Sequence, residues 1–279
     1  MKPRAAVPAA LLTLVAAASL AACSAPNTDS DAPAAEVTAG DTASDTSLTD
    51  VQEAGVLIVG TEGTYRPFSY HEDGAGVLTG YDVEVIRAVA EQLGVEVRFE
   101  ETQWDAIFAG LESGRFDVIA NQVSITPERE EAYTFSAPYT YSPGVIVVRA
   151  DDDTITSFQS LAGKTTAQSL TSNWYTLAEE SGATVEAVEG WAQAVALVEQ
   201  SRVDATINDK LTFLDYKQQT GAAALKVAAE TDDESRSAFA FRADSTALAE
   251  AVNEGLATLS EDGTLAEISI LFFGEDVSQ

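Results

Sequence analysis

The residues best suited to bind an anionic group lie in the segment 121–129, with the sequence NQVSITPER. Thr126 can cap a helix that begins at Pro127, a residue favoured in the first turn. Arg129 then lies one turn in, where its guanidinium can bind two oxygens at once. With the hydroxyl of Ser124 and the free N–H groups of the helix start, these groups predict a carboxylate site. The pattern also fits a capped surface helix with a solvated arginine.

A second copy of this arrangement follows 87 residues later, without a gap. The identical pairs are Trp104 and Trp191, Ala109 and Ala196, Glu112 and Glu199, Arg115 and Arg202, Asp117 and Asp204, and Asn121 and Asn208. Each copy predicts a helix, a tight turn and a short strand, followed by a polar pair, Asn121-Gln122 or Asn208-Asp209. Because ligands of open α/β sheets bind beyond the carboxyl ends of strands, two such units predict two lobes around one cleft.

Two further segments place polar side chains near this predicted cleft. The apolar strand 56–60 leads into GTEGTYRPFSY, a loop that carries Glu62 and Tyr65. In SLTSNW, Ser172 can cap a helix and Thr171 offers a hydroxyl at its start, which suits an anion. An aromatic packing lid and a simple helix cap are the alternative readings of these two segments.

The elements that must position these residues alternate between strand and helix, which predicts a largely parallel, covered α/β sheet. Asp82 is expected to cap a helix that ends just before Gly94. The predicted strands are 56–60, 95–99, 116–120, 145–149, 165–168, 185–188, 203–208 and 238–241. The other predicted helices are 102–113, 191–200, 210–219, 246–259 and 264–271. Trp191 could lie in the core, in the cleft or on a partner-facing surface, and it is expected in the core.

The predicted lobes follow from where this alternation breaks. FSAPYTYSPGV, at 135–145, contains two prolines and a glycine and is interpreted as the crossing into a second lobe. The acidic stretch TDDES precedes a strand and two helices that return to the first lobe. The first lobe is therefore predicted to be discontinuous, at 51–141 and 236–279, with the second lobe at 142–235.

The composition of the chain argues against several classes of partner and site. The chain has 279 residues, enough for about two domains, and its formal net charge of −30 disfavours nucleic acid as a partner. Its one cysteine, Cys23, precludes an internal disulfide, and the single histidine gives no His pair for a metal. The residues suggest no cofactor.

The N-terminus has the pattern of a secretory signal. Lys2 and Arg4 precede an apolar run, and the segment 20–23 reads LAAC. Residues 1–22 are predicted to be a signal peptide, and LAAC resembles a bacterial lipobox, which implies lipidation of Cys23. Residues 23–50 are acidic and lack aromatic residues, which predicts a disordered tether with a reach of about 30 Å. The body is therefore expected outside the cytoplasm, at the outer face of the cell membrane or in the periplasm.

From Val51 to Asp276, the sequence resembles the family 3 solute-binding proteins of bacterial amino-acid ABC importers. The segments that carry the resemblance are GTEGTYRPFSY, GYDVEVIRAVAEQLG, VSITPER, FSAPY, EDGTLAEI and FFGED. The resemblance implies a type II clamshell of two lobes with two hinge strands. It also implies an amino-acid ligand, an ABC permease as partner and a monomer that contacts the membrane only through its anchor.

The resemblance also implies roles for individual residues. Arg129 and Thr171 match the donors to the ligand's α-carboxylate, and Asp209 matches the acid that receives its α-ammonium. Additional matched positions are the first-lobe contacts Ser124, Gln122 and Asn121, and the aromatic residues Tyr65 and Trp104 that sandwich the ligand side chain.

The ligand class stays open between several candidates. GTEGTY, SLTSN and TINDKLTFLDY resemble the branch that binds cystine, and Glu62 could receive the second ammonium of that ligand. Glu62 also matches an acid that selects lysine or arginine in some relatives. A different class of function is a cyclohexadienyl-type dehydratase on the same fold, with Glu62 as its candidate acid, although the sequence favours a binding protein over an enzyme. A sensory role through a separate partner also stays open.

Overall fold

The computed structural model describes residues 44–279. The predicted signal peptide, Cys23 and the tether up to Ala43 lie outside the described residues. The helices are α1 (Ser47–Ala54), α2 (Tyr81–Leu93), α3 (Trp104–Glu112), α4 (Pro127–Glu130), α5 (Asn173–Glu180), α6 (Trp191–Glu199), α7 (Lys210–Thr220), α8 (Thr246–Glu261) and α9 (Thr264–Phe273). The strands are β1 (Val56–Thr61), β2 (Thr64–Tyr65), β3 (Ser69–His71), β4 (Leu78–Thr79), β5 (Glu96–Glu101), β6 (Val118–Ser124), β7 (Tyr133–Phe135), β8 (Thr140–Arg149), β9 (Thr165–Gln168), β10 (Thr184–Ala187), β11 (Ala205–Asp209) and β12 (Leu225–Arg242). No helix in this described part of the chain is long and apolar enough to span a membrane.

The central sheet has the order β10-β9-β11-β8-β12-β6-β1-β5, with β7 also paired to β12, while β2, β3 and β4 form a small separate sheet. Each end of the central sheet is a parallel trio, β6-β1-β5 or β11-β9-β10. The antiparallel strands β8 and β12 join the two trios. This two-lobed α/β fold, with a crossing strand pair and a discontinuous first lobe, is the one that the sequence predicts.

The internal repeat of the sequence has a structural equivalent. In the first copy, Asp117 follows α3, and its carboxylate accepts a hydrogen bond of 2.9 Å from the N–H of Ile58 in β1. In the second copy, Asp204 follows α6 and accepts a 2.8 Å bond from the N–H of Thr165 in β9. The repeated aspartate thus ties the start of each lobe's third strand to its first strand, which fixes the strand order of both trios.

Four groups of buried apolar side chains form the cores of the lobes, two in each lobe. In the first lobe, β1 and β6 contribute Leu57, Val59 and Val118, which pack against α2 and α8. In the second lobe, Val145 and Val147 of β8 pack against α6. Because parallel strands are covered on both faces, their residues form nearly continuous apolar runs. These runs are the signal from which the strands are predicted.

The ordered body begins earlier than the sequence predicts. The interpretation of residues up to Asp50 as tether is wrong for the last of them, because α1 begins at Ser47 and buries Val51. Asp45 fixes this helix to the body: its carboxylate accepts bonds of 2.6 Å from the N–H of Ala247 and 2.8 Å from the hydroxyl of Thr246. A side chain from the presumed tether therefore satisfies donors at the start of α8.

We expect Asp45→Ala to lower the stability of the body by about 1 kcal/mol, the usual effect of losing a helix cap. Hydrogen bonds from Ser47 and from the N–H of Ala247 lower the pKa of Asp45. The charged form is therefore favoured in the folded state, and its stabilisation is present above the unfolded pKa of about 4 and lost as the pH falls further. Thermal unfolding of both proteins between pH 7 and pH 2 tests this, because a melting difference that stays constant with pH would contradict it.

Three predicted elements differ from the observed ones. Asp82 does not cap α2: Gly80 precedes the helix, and Asp82 lies in its first turn, fully buried. β6 extends beyond Ala120 to Ser124, so Asn121 and Gln122 lie within the strand. TDDES lies inside β12, because pairing with β8 continues on both sides of it across an irregularity between Glu230 and Glu234.

Candidate functional site

A cavity of about 230 Å³ lies between the lobes at the carboxyl ends of β1, β6, β9 and β11. Its first-lobe lining is Glu62, Thr64, Tyr65, Gln103, Trp104, Asn121 and Gln122. Its second-lobe lining is Ser169, Ser172, Asn173, Trp174, Glu189, Gly190, Trp191, Ala192, Gln193 and Asn208. Both copies of the repeat supply a tryptophan and an asparagine to this lining. Both residues of the first predicted polar pair, Asn121-Gln122, therefore line the cavity, together with Asn208 of the second pair.

Glu62 is the acid of the first-lobe wall, and Asn121 holds it in place. The amide nitrogen of Asn121 donates to the Glu62 carboxylate at 2.6 Å, and its amide oxygen accepts from the Glu62 N–H at 2.9 Å. Burial of the carboxyl raises the pKa of Glu62 to about 7, although the bond from Asn121 favours its charged form. Glu62 is thus poised to ionise fully when a positive group enters the cavity.

Tyr65 connects the lobes across the cavity. Its hydroxyl donates to the side-chain oxygen of Asn208 at 2.8 Å and accepts from the hydroxyl of Thr212 at 3.2 Å. A second bridge lies nearby, between Arg66 and Asp215, with 3.3 Å between nitrogen and oxygen. These contacts join the first lobe to β11 and α7 of the second lobe.

Arg129 lies beside the cavity without lining it. As predicted, Thr126 caps α4, accepting a 3.3 Å bond from the Arg129 N–H. The guanidinium lies about 5 Å from the ring centres of Trp104 and Phe108. It donates to the backbone oxygen of Ser124 at 2.9 Å and to that of Thr171, in the second lobe, at 3.2 Å. Burial lowers its pKa to about 10, which leaves it charged at neutral pH.

The donors of Thr171 are bound to an acid that the sequence analysis did not identify. The N–H and hydroxyl of Thr171 donate to one carboxylate oxygen of Asp105, at 3.0 and 2.9 Å. Asp105 lies in the first turn of α3, next to Trp104. A carboxylate of the first lobe therefore binds the helix-start donors of the second lobe, beside the guanidinium of Arg129.

Asp209 is buried at the end of β11 and caps α7. Its carboxylate accepts bonds from the hydroxyl of Ser142 at 2.7 Å and from the N–H of Leu211 at 2.8 Å. Burial raises the pKa of Asp209 to about 6. No cation lies against this carboxylate among the described residues, so its charge has hydrogen-bond donors but no counter-ion.

Gln122 lies at an unusual point of β6, with a φ of 50°. Its N–H and side-chain amide both donate to the buried carboxylate of Asp82, and the amide also donates to the hydroxyl of Thr140 at 3.0 Å. Burial raises the pKa of Asp82 to about 7. Asp82 therefore fixes the turn of β6 that directs Asn121 and Gln122 to the cavity.

The structure brings together some of the predicted site residues and leaves others outside the cavity. Glu62, Tyr65, Trp104, Asn121 and Gln122 line it. The residues outside the lining are Ser124, Arg129, Thr171 and Asp209. The hydroxyl of Ser124 is bonded instead to that of Ser235 in β12, at 3.0 Å.

Two tryptophans of the lining, Trp174 and Trp191, are not among the predicted site residues. Trp191 packs on the second-lobe core, as expected, but it also lines the cavity. Trp174 lies two residues after the cap Ser172, which accepts a 3.1 Å bond from its N–H. The segment SLTSNW contained the signal for this position, an aromatic residue in the first turn of a helix that faces the cleft.

The residues between 44 and 279 include no group of three His, Cys, Asp or Glu side chains arranged to hold a metal ion. The chemistry of the cavity is therefore that of carboxylates, amides, hydroxyls and aromatic rings. Such a lining can bind a small polar molecule that carries ammonium groups. The interlobe hydrogen bonds of Tyr65 and Arg129 lie beside it.

Comparison with known proteins agrees with this architecture. The chain is 49% identical over 271 residues to the L-cystine-binding protein of Bacillus subtilis (strain 168), covering 97% of this chain and 98% of that protein. The L-cystine solute receptor of Neisseria gonorrhoeae, solved in the unliganded open conformation, is 44% identical, with a TM-score of 0.57, covering 83% of this chain and 99% of that chain. An ancestral arginine-binding protein bound to arginine is 33% identical, with a TM-score of 0.74, covering 78% of this chain and 98% of that chain.

The less identical, arginine-bound structure superposes on this chain better than the more identical open one. The interlobe bonds of Tyr65 and Arg129 hold the two lobes of this chain together. The family model for bacterial extracellular solute-binding proteins, family 3, matches residues 57–275. These residues include both lobes and both crossing strands. The chain therefore belongs to the family 3 bacterial extracellular solute-binding proteins.

Proposed function

We propose that this chain binds L-cystine between its two lobes and delivers it to the permease of an ABC importer. The observation that carries the proposal is a cavity with an acid, amides and aromatic rings on its walls, in a chain 49% identical to an L-cystine-binding protein. Its lining contains Glu62 and Glu189 but, among the described residues, no lysine or arginine. Such walls suit a ligand with ammonium groups.

A free amino acid is costly to desolvate unless both of its charges are paired. Arg129 and the N–H of Thr171 would receive one α-carboxylate, and Asp209 would receive the α-ammonium. Cystine has a second head, whose ammonium Glu62 would bind. Tyr65 and Trp104 would enclose the apolar and sulfur atoms between the heads, because sulfur packs favourably against aromatic rings.

This assignment requires observed bonds between protein groups, within and between the lobes, to be exchanged for bonds to the ligand. Arg129 would leave the backbone oxygens of Ser124 and Thr171, and Thr171 would leave Asp105. Since Arg129 and Asp209 belong to different lobes, one ligand would hold both and favour closure. Binding would then signal a loaded state to the permease, whose own ATPase supplies the energy of transport.

The proposed lobe boundaries are 51–141 with 236–279, and 142–235. They are supported by the partners of the crossing strands: the first part of β12 pairs with β8 beside the second-lobe core, and its last part pairs with β6 and β7. Both boundaries fall within these strands, where a hinge can bend. The body itself we place from Ser44 onward, since α1 belongs to it.

A basic amino acid is the second candidate ligand. Glu62 in the cavity and the likeness to an arginine-bound protein favour it.

Thermal unfolding of the chain from Ser24 onward, stripped of bound ligand, distinguishes cystine from a basic amino acid as the ligand, because ligand at 100 times its Kd stabilises the protein by about 2.7 kcal/mol. A shift with cystine alone supports the proposal, and a shift with arginine or lysine makes Glu62 the selector of a basic ligand. No shift with any amino acid would contradict both, and an assay for cyclohexadienyl dehydratase products would then test the enzymatic alternative.

We expect Asp105→Ala to strengthen ligand binding by roughly two- to tenfold, because an exposed carboxylate that competes for the Thr171 donors is removed. Titration calorimetry of both proteins with cystine measures this. Asp151→Ala is the control, since Asp151 lies at the far end of β8 and its side chain is 85% exposed. Weaker binding by Asp105→Ala would show that the Asp105–Thr171 contact persists in the complex, and Thr171 would not be a ligand donor.

Export and anchoring complete the proposal. Residues 1–22 would be removed and Cys23 would carry the lipid, so that a monomer is held at the outer face of the membrane. In the native host, Cys23→Ala should move the protein from the membrane fraction to the soluble fraction. An unchanged membrane fraction would contradict lipid anchoring while leaving ligand binding unaffected.

A further inference from the structure

The second-lobe wall of the cavity has a feature that the proposed ligand roles do not use. Trp174 lines the cavity, and its indole lies directly over the backbone of Gly144 in the crossing strand β8. A Cβ atom at Gly144 would lie only 2.5 Å from Cζ3 and 2.8 Å from Cη2 of the indole. The indole can occupy this position only because residue 144 is glycine, since the Cβ atom of any other residue would overlap the ring.

Neighbouring groups fix the backbone of Trp174 and border its seat on Gly144. The Ser172 cap fixes the backbone of Trp174 at the start of α5. The methyl group of Thr231, in the other crossing strand, lies 3.2 Å from the same Cβ position, and its hydroxyl accepts a 2.9 Å bond from the Gly144 N–H. The indole thus lies against Gly144 of one crossing strand and close to Thr231 of the other. Gly144 is also the register partner of Asp209, so this wall is adjacent to the proposed ammonium site.

We propose that Trp174, seated on Gly144, is the wall that sets the size of ligand the cavity accepts, with Gly144 as its positioning residue. The inference rests on the proposed function and deepens it, because it names the feature that selects among amino acids of different length. Its physical basis is the small size of the cavity. At about 230 Å³ it falls below the usual range of about 300 to 1,000 Å³ for ligand pockets, so a small displacement of one wall changes what fits.

Gly144→Ala is expected to act through the indole. The backbone at Gly144 has no left-handed φ, so alanine is compatible with the strand. To restore an ordinary contact of at least 3.4 Å, the ring must move by about 1 Å. We expect cystine affinity to fall about tenfold or more, as for other overpacked sites, with a smaller loss for a one-headed amino acid such as S-methylcysteine.

Trp174→Leu should also reduce selectivity, by widening the cavity rather than by narrowing it. It removes most of the wall, and the preference for cystine over ligands of other lengths, such as cystathionine and S-methylcysteine, should shrink. In this background, Gly144→Ala should have little further effect, because the added methyl group no longer meets the indole. The expected result is strong coupling between the two positions, which independent structural effects would not produce.

The experiment is a double-mutant cycle on the full-length chain, with titration calorimetry against cystine, cystathionine and S-methylcysteine. Gly255→Ala, in α8 of the first lobe, is the matched control, because its added Cβ would also meet a neighbour closely, Val89 at 3.2 Å, away from the cavity. An unchanged ligand ranking in Gly144→Ala, or additive effects in the double variant, would overturn the inference while the proposed function stands. Failure of the unaltered protein to bind any of these ligands would overturn the proposed function, and this inference with it.

Discussion

Replacing Arg129 with alanine is expected to weaken amino-acid binding by about 2 to 5 kcal/mol, roughly thirtyfold to several thousandfold. The guanidinium is charged and held beside Trp104 and Phe108, and in the closed arrangement it is bonded only to backbone oxygens among the described residues. A ligand carboxylate offers it a charge-assisted, two-oxygen partner in their place. Without the arginine, that carboxylate would be buried with neutral donors alone.

Two further variants separate this role from a general loss of packing. Arg129→Lys keeps the charge but not the planar fork, so an intermediate loss is expected. Arg98→Ala removes an arginine whose side chain is 58% exposed on β5, and it should bind like the unaltered protein. Titration calorimetry gives all three affinities. Affinity of Arg129→Ala within about twofold of the unaltered protein would remove this arginine from the ligand site.

Asp209→Asn is expected to cause a loss of similar size and also to change the pH dependence of binding. Asparagine can still cap α7, so the fold should be kept, while the charge that would pair with the α-ammonium is lost. Because burial raises the pKa of Asp209 to about 6, the free protein carries this acid protonated below that pH. Ligand affinity should therefore fall as the pH drops through 6, and the Asn variant should lack this component.

The pH profile has an internal control. Burial also raises the pKa of Glu62, to about 7, so a second loss of affinity is expected as the pH drops through 7 if Glu62 binds the distal ammonium. Glu62→Gln should remove this component for cystine but leave the component from Asp209. Binding of a one-headed amino acid should depend on Asp209 alone. A profile that stays flat from pH 8 to 5 in the unaltered protein would contradict the role of both acids.

Much of the architecture could be predicted because its signals are local. Thr126, Ser172 and Asp209 each accept a bond from the helix that they precede, and Thr126 and Ser172 were predicted as caps from residue type and position. The internal repeat was also visible in the sequence. Its two aspartates, Asp117 and Asp204, occupy equivalent positions in the two copies and accept equivalent bonds from the first strand of each lobe. Two lobes and one cleft followed from these observations.

Features set by distant pairing could not be predicted in the same way. β12 runs through TDDES, although acidic residues are poor strand formers, because β8 supplies hydrogen-bond partners on both sides of that stretch. The same strand extends β6 to Ser124, which places Asn121 inside the strand rather than after it. The length of β6 therefore depended on a partner more than 100 residues away.

The site residues that were missed depend on contacts between the lobes or across strands. Asp105 has no feature that marks it in the sequence, and its role arises only because the two lobes bring it to Thr171. The place of Trp174 depends on a missing side chain at Gly144, thirty residues earlier. Conversely, the predicted donors Arg129 and Thr171 are bonded to protein groups in this arrangement, which residue type alone does not reveal.

The most direct test of the central claim is a crystal structure of the chain grown with L-cystine. The account predicts one cystine between the lobes, with an α-carboxylate bonded to Arg129 and to the N–H of Thr171. It also predicts the neighbouring α-ammonium within about 3 Å of Asp209. Glu62 should lie at the other ammonium, and Asp105 should have left Thr171. An empty cleft, or a ligand bound while Arg129 and Thr171 keep their present partners, would contradict the account.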